Sequence, residues 1–164
     1  MIERDEALRR RALVSVASVV DPEIPALTIA DLGILRGVTV REGEVEVTIT
    51  PTYSGCPAMT LIALDIQTAL ARAGIANARI RTVLSPAWTT DWLTETARAK
   101  LSEAGIAPPP PGASRRALFT QEAPRCPHCG SADTEQISEF GSTACKALHR
   151  CRACREPFDA FKCH

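Results

Sequence analysis

The sequence is short of histidine, of excess charge of either sign and of long apolar runs, and each shortage removes a class of function. Only three histidines occur, His128, His149 and His164, all in the C-terminal tail. An imidazole base is therefore scarce, and no His–carboxylate metal motif appears. A Gly-rich dinucleotide fingerprint and a phosphate loop are also missing, which argues against an independent enzyme. Nineteen basic and 19 acidic side chains cancel. Neither residues 1–114 nor 115–164 carry the marked basic excess that phosphate-backbone binding draws on, so no nucleic acid is expected as partner. No apolar run approaches the ~20 residues of a membrane span, so no membrane contact is expected. The start, Met1-Ile2-Glu3-Arg4-Asp5-Glu6, lacks the basic end and apolar centre of a signal peptide. The expected location is cytoplasmic.

What remains is ordinary globular material: 164 residues, 45% hydrophobic and 23% charged. That length fits one domain, or one small domain with an added module. Seven cysteines stand out. In a reducing compartment they read as metal ligands or reactive thiols rather than disulfides, and the odd count argues the same way.

Residues 3–20 predict an amphipathic helix with Leu8, Ala12, Val16 and Val19 on one face. Asp21-Pro22-Glu23-Ile24-Pro25 stops it, since two prolines force turn or extended backbone. Asp21 and Glu23 are carboxylates on that stiff loop, and Asp31 follows shortly. They serve either as turn caps or as carboxylates of a metal or partner site. Ile34–Val40 and Glu44–Ile49 predict a hairpin turning at Gly43. Ala58–Ala73 has helical spacing, Ala78–Leu84 alternates as a third strand, and a further helix opens at Thr89-Thr90-Asp91 and ends at Gly105. The expected first domain, residues 1–106, is therefore α/β (α+β) with helix, two strands, helix, strand, helix. Pro108-Pro109-Pro110-Pro111 predicts a stiff linker over residues 107–122.

The chain is organised around Thr50-Pro51-Thr52-Tyr53-Ser54-Gly55-Cys56-Pro57, which joins the second strand to the second helix. Cys56 precedes a helix N-terminus, whose free N–H groups favour a thiolate, so a thiol more acidic than usual is expected. Two readings fit: a reactive or metal-handling thiol, and a small apolar side chain in a tight turn.

Residues 123–164 hold the most specific pattern. Cys126-Pro127-His128-Cys129 and Cys151-Arg152-Ala153-Cys154 are paired C-x2-C motifs. Each pair can chelate from one turn, and four thiolates in a tetrahedron suit zinc. So small a module folds poorly on an apolar core alone, so a structural zinc at Cys126, Cys129, Cys151 and Cys154 is expected to stand in for one. Phe140, Phe158 and Phe161 are expected to pack around it. A redox or iron–sulfur site would use the same thiolates. His128 should point outward; Cys145 and Cys163 are spare thiols, either packed or substitute ligands.

Asp21-Pro22-Glu23-Ile24-Pro25, Thr28-Ile29-Ala30-Asp31-Leu32-Gly33, the Cys56 stretch, Pro86-Ala87-Trp88-Thr89-Thr90-Asp91-Trp92 and Phe140-Gly141-Ser142-Thr143-Ala144-Cys145-Lys146 together resemble the PaaD family. These are accessory proteins of the bacterial phenylacetyl-CoA epoxidase system, also called the phenylacetate-CoA oxygenase PaaJ subunit. The first domain is similar to small iron–sulfur assembly proteins related to SufT. The resemblance implies an accessory factor that helps deliver iron–sulfur clusters or iron to client components, the di-iron subunit or the iron–sulfur reductase, with no oxidoreductase activity of its own. It places the family's signature thiol at Cys56 and its acidic loop at Asp21 and Glu23. The alternative is a non-catalytic interaction subunit of the oxygenase complex. One cysteine cannot hold a cluster alone, so a homodimer or a client would supply further ligands.

Overall fold

The alternating run Val45-Glu46-Val47-Thr48-Ile49 becomes the centre of a three-stranded sheet. In the computed structural model, which describes residues 2–112 and 122–162, it forms β2 (Glu44–Ile49). Strand β1 (Leu35–Arg41) pairs with it antiparallel and β3 (Ala78–Thr82) pairs parallel, giving the order β1-β2-β3. The β1–β2 turn puts Glu42 and Gly43 both at positive φ, 52° and 80°. That suits a two-residue hairpin, whose twist requires such angles. Val45, Val47 and Ile49 are fully buried on one face of β2. On the other face Glu44 pairs with Arg79 (3.9 Å) and Glu46 with Arg81 (3.8 Å). These exposed pairs contribute little to stability, ~0–1 kcal/mol each.

Helix α1 (Ile2–Ala17) packs on β1 and on helix α2 (Ala58–Arg72), which also meets β3. Ala12 and Val16 of α1 and Ile62, Ile66 and Leu70 of α2 are fully buried. The loop between α1 and β1 is part of this core, with Leu27, Ile29, Leu32 and Ile34 at or below 2% exposure. Helix α2 ends in a Schellman motif: Gly74 N donates to Ala71 O (2.9 Å) and Ile75 N to Leu70 O (2.9 Å). The indole of buried Trp88 donates from Nε1 to Leu32 O (2.8 Å). This bond ties the tryptophan block to the Asp31-Leu32-Gly33 loop.

Chain packing separates Met1–Trp88 from Thr89–His164. The second unit holds a 3-10 turn (Thr90–Trp92), helix α3 (Glu95–Glu103) and strands β4 (Ile106–Ala107), β5 (Thr134–Ser138), β6 (Lys146–Cys151) and β7 (Pro157–Phe161). The sheet order is β4-β7-β6-β5, with β4–β7 parallel and the other pairs antiparallel.

The mixed α/β architecture with a C-terminal ribbon is the expected one, and several boundaries differ from it. Helix α1 stops at Ala17, because the chain must turn for Val20 to bridge Thr28. Thr89 caps only the 3-10 turn; α3 starts later, where Thr94 Oγ1 accepts from Ala97 N (3.0 Å). Residues 89–106, expected in the first domain, group with the second unit. The linker expected from residue 107 is engaged at its start. Ala107 is buried in β4, and Arg98 donates to Pro109 O and to Thr90 O (3.1 Å). Residues 113–121 of that linker lie outside the described residues.

Trp88→Phe leaves Leu32 O buried without its donor. We expect a loss of ~1–3 kcal/mol in urea unfolding. A variant as stable as the parent would show that this bond does not hold the loop.

Candidate functional site

The two C-x2-C turns bring four sulfurs together in the second unit. Cys126 N donates to Ser131 O (2.9 Å), and Gly130 N donates back to Cys126 O (2.8 Å), closing the first turn. Cys151 N donates to Glu156 O (3.0 Å) and closes the second. The Sγ atoms of Cys126, Cys129, Cys151 and Cys154 all lie within 4.8 Å of one another. Cys126 and Cys154 are 3.7 Å apart, and Cys129 and Cys151 3.5 Å. A tetrahedron with metal–sulfur bonds of ~2.3 Å has edges of about 3.8 Å, so this donor set fits a zinc-sized ion. The N–H of Cys154 helps hold the Cys151 thiol down to about 6, whereas Cys154, despite the N–H of Glu156, is pushed up to about 12 by burial and its neighbouring sulfurs. Four crowded thiols cannot all ionise without a cation among them.

The surroundings divide the expected residues. Phe158 and Phe161 are buried, and Phe158 shares a core with Cys126, Cys151, Ala107 and Ala160. Phe140 does not pack there; it is 60% exposed on the β5–β6 connection. His128 is exposed, as expected, and stays out of the sulfur group. His149 is buried and stacks on Phe158, with centroids 5.7 Å apart. Burial lowers its pKa. Cys145 is buried, with Thr143 Oγ1 at 3.1 Å from its sulfur, and is not one of the four. Cys163 and His164 lie outside the described residues.

In the first unit the chain leaves β2 through a β-turn that places Cys56 at the start of α2. Cys56 N donates to Tyr53 O (3.3 Å), with Gly55 at φ 83°, an angle glycine adopts without steric penalty. Met59 N donates to Cys56 O (3.3 Å), and Pro57 is the helix N-cap residue. The thiol is half-buried. Its pKa is raised, not lowered. Burial is the main cause, and the charges of Glu23 and Asp21 add to it; the Ala58 N–H and Tyr53 act the other way. The expected acidic thiol is thus corrected: the helix-terminal N–H is present but is outweighed. Cys56 lies within the electrostatic influence of Glu23 and Asp21, which are far from it in sequence. Asp21 is buried, and its Oδ1 accepts from Glu23 N and Ile24 N (2.8 Å each), so it also caps its turn. Asp31 and Thr28 cap each other, Oδ2 from Thr28 N and Oγ1 from Asp31 N, both at 3.0 Å. Tyr53 carries no signal of a role in the sequence, because only the folded turn sets its side chain against the sulfur.

Comparison with known proteins follows the same division. Residues 10–83 match the family model of an iron–sulfur cluster assembly protein, and residues 110–162 match the PaaD zinc beta ribbon domain. A protein of Escherichia coli (strain K12), named as one of the subunits of a "Putative 1,2-phenylacetyl-CoA epoxidase", is 53% identical over 90% of this chain and 88% of its own. The Fe-S protein maturation auxiliary factor YitW of Bacillus subtilis is 31% identical, over 59% of this chain and 96% of its own. Among solved structures, a domain of unknown function, DUF59, from Bacillus anthracis superposes with a TM-score of 0.57 at 25% identity, covering 62% of this chain and 97% of that one. The shorter relatives account for the assembly-type domain alone. The Escherichia coli relative spans the ribbon as well, and with it the chain belongs to the PaaD family.

Proposed function

We propose that this chain is an accessory maturation factor for a phenylacetyl-CoA epoxidase. In this reading it handles iron or an iron–sulfur cluster as cargo and does not catalyse the epoxidation. The observation that carries the reading is the half-buried Cys56 thiol in the turn after β2, within the electrostatic influence of Glu23 and Asp21. In this reading the thiol is the soft ligand toward iron, and its half-buried setting leaves the sulfur reachable. One thiol does not complete a cluster, so the client or a second copy of this chain would supply the rest. The names borne by the Escherichia coli and Bacillus subtilis relatives support the same client and the same trade. Cys126, Cys129, Cys151 and Cys154 would hold a resident zinc, which supplies cross-linking to a sheet too small to stand on its own core.

A second reading is an interaction subunit that handles no metal. The raised pKa of Cys56 favours it to this extent: a thiol that keeps its proton is a weak ligand until a cation displaces that proton. The two readings part on loading. Cys56→Ser should fold and bind as the parent does yet fail to support iron or cluster loading of epoxidase components. Full growth on phenylacetate with the serine variant would favour the interaction subunit.

The pH behaviour of Cys56 has a definite sign. Because its pKa is raised, alkylation should reach half its maximal rate at higher pH than for a free cysteine. Glu23→Gln removes one of the charges that disfavour the thiolate; the midpoint should move down and alkylation at a fixed pH below it should speed up. An unchanged profile would mean that Glu23 does not act on the sulfur.

For the ribbon, metal analysis should find one zinc per chain. Cys151→Ser should abolish it and remove hydrogen-exchange protection from β5, β6 and β7 while leaving β1–β3 protected. Stoichiometric zinc with all four thiols still open to alkylation in the folded protein would refute the assignment.

A further inference from the structure

The β5–β6 connection, residues 139–145, is built more carefully than a connection needs to be. Asp159 of β7 anchors it: Ser142 Oγ donates to Oδ2 (2.6 Å) and Ser142 N to Oδ1 (3.3 Å). Gly141 sits so close that a Cβ there would clash with Asp159 Oδ1, so no larger residue fits without displacing the carboxylate. Lys146, with a side chain only 6% exposed, places Nζ 3.9 Å from Asp159 Oδ2. Gly141 N donates to Lys146 O (2.7 Å), Lys162 N to Cys145 O (3.0 Å), and Ser138 Oγ accepts from Phe140 N (3.2 Å). So many bonds in so short a segment fix one backbone path.

The side chain displayed by this frame is Phe140, exposed although aromatic. Ile137, 54% exposed, precedes it where the β5–β6 register shifts between Gln136 and Ser138, a bulge that re-aims side chains. Lys162 Nζ stands 4.1 Å from the Phe140 ring centroid. Among the described residues no carboxylate pairs with that ammonium. An aromatic held rigid before binding loses little entropy on docking, and such residues dominate interface energies.

We propose that Phe140, flanked by Lys162 and Ile137, is the anchor by which the ribbon docks onto a client protein. The occupant is a protein surface with an apolar pocket for the ring and a carboxylate at its rim for the ammonium. The Lys162 ammonium held over the ring favours such a rim, and cation–aromatic contacts strengthen as water leaves. This inference rests on the client named above and gives the ribbon a task separate from Cys56.

The test measures binding of the full chain to the purified epoxidase di-iron subunit and to the reductase, by interferometry at two salt concentrations. Phe140→Ala should weaken binding to one of them roughly tenfold, or ~1.4 kcal/mol, with zinc content and circular dichroism unchanged. Lys162→Glu should weaken it too and reverse its salt dependence, whereas Leu84→Ala, an exposed change in the first unit, should not. Phe140→Ala should leave the pH profile of Cys56 alkylation as in the parent, which separates failure of docking from failure of loading. Parent-like binding by Phe140→Ala overturns the proposal, as does a Phe140→Ala effect confined to self-association in sedimentation. Absence of parent binding to both components overturns it together with the client assignment.

Discussion

Burial of one face of β2 is the constraint on which the first unit depends. Val45, Val47 and Ile49 must all leave water together, so the strand cannot slip by one residue without turning its apolar set outward. That register fixes where β2 ends, and the turn Tyr53–Cys56 begins shortly beyond it. The position of the candidate thiol therefore follows from hydrophobic patterning upstream rather than from any bond the thiol makes. The acidic loop is fixed independently. Ile24, Leu27 and Ile29 are buried around it, and Asp21 is held by two backbone N–H groups. Two separately anchored segments thus meet, which is how groups distant in sequence come to share one electrostatic field.

The ribbon is organised the other way round. Its buried residues are few, and two of them are cysteines of the sulfur group itself. Hydrophobic burial in such a module is small against the entropy of ordering it, so the sulfur group has to supply cohesion. Four sulfurs gathered within 4.8 Å of one another are a donor set suited to a divalent ion, whose charge would stabilise their thiolates.

The legible parts were those where spacing alone states the chemistry. The two C-x2-C turns, the β1–β2 hairpin at Gly43 and the α2 helix are local patterns, and the structure has each of them. Phe140 was misread because aromatic character predicts burial only on average, while its exposure follows from Asp159 pinning the neighbouring residues from another strand. The contact grouping departs from the expected boundary for a similar reason. Four prolines announce a break, but nothing local says that Ile106 and Ala107 just before them will pair with β7, far along the chain. The thiol of Cys56 is less acidic than the sequence suggests because the helix terminus is visible in sequence, while its burial and the charge of Glu23 are not.

A cysteine activated by a helix end is suited to attack electrophiles, since its thiolate stands ready. A thiol held neutral by burial and by two carboxylates is protected from oxidation and alkylation, which act on the thiolate. The same carboxylates attract a cation, and a cation reverses the balance, because the sulfur's proton is then the group most easily expelled. A thiol of that kind is poorly poised for covalent attack, and the charges of Glu23 and Asp21 contribute to this in addition to Asp21's capping of its own turn.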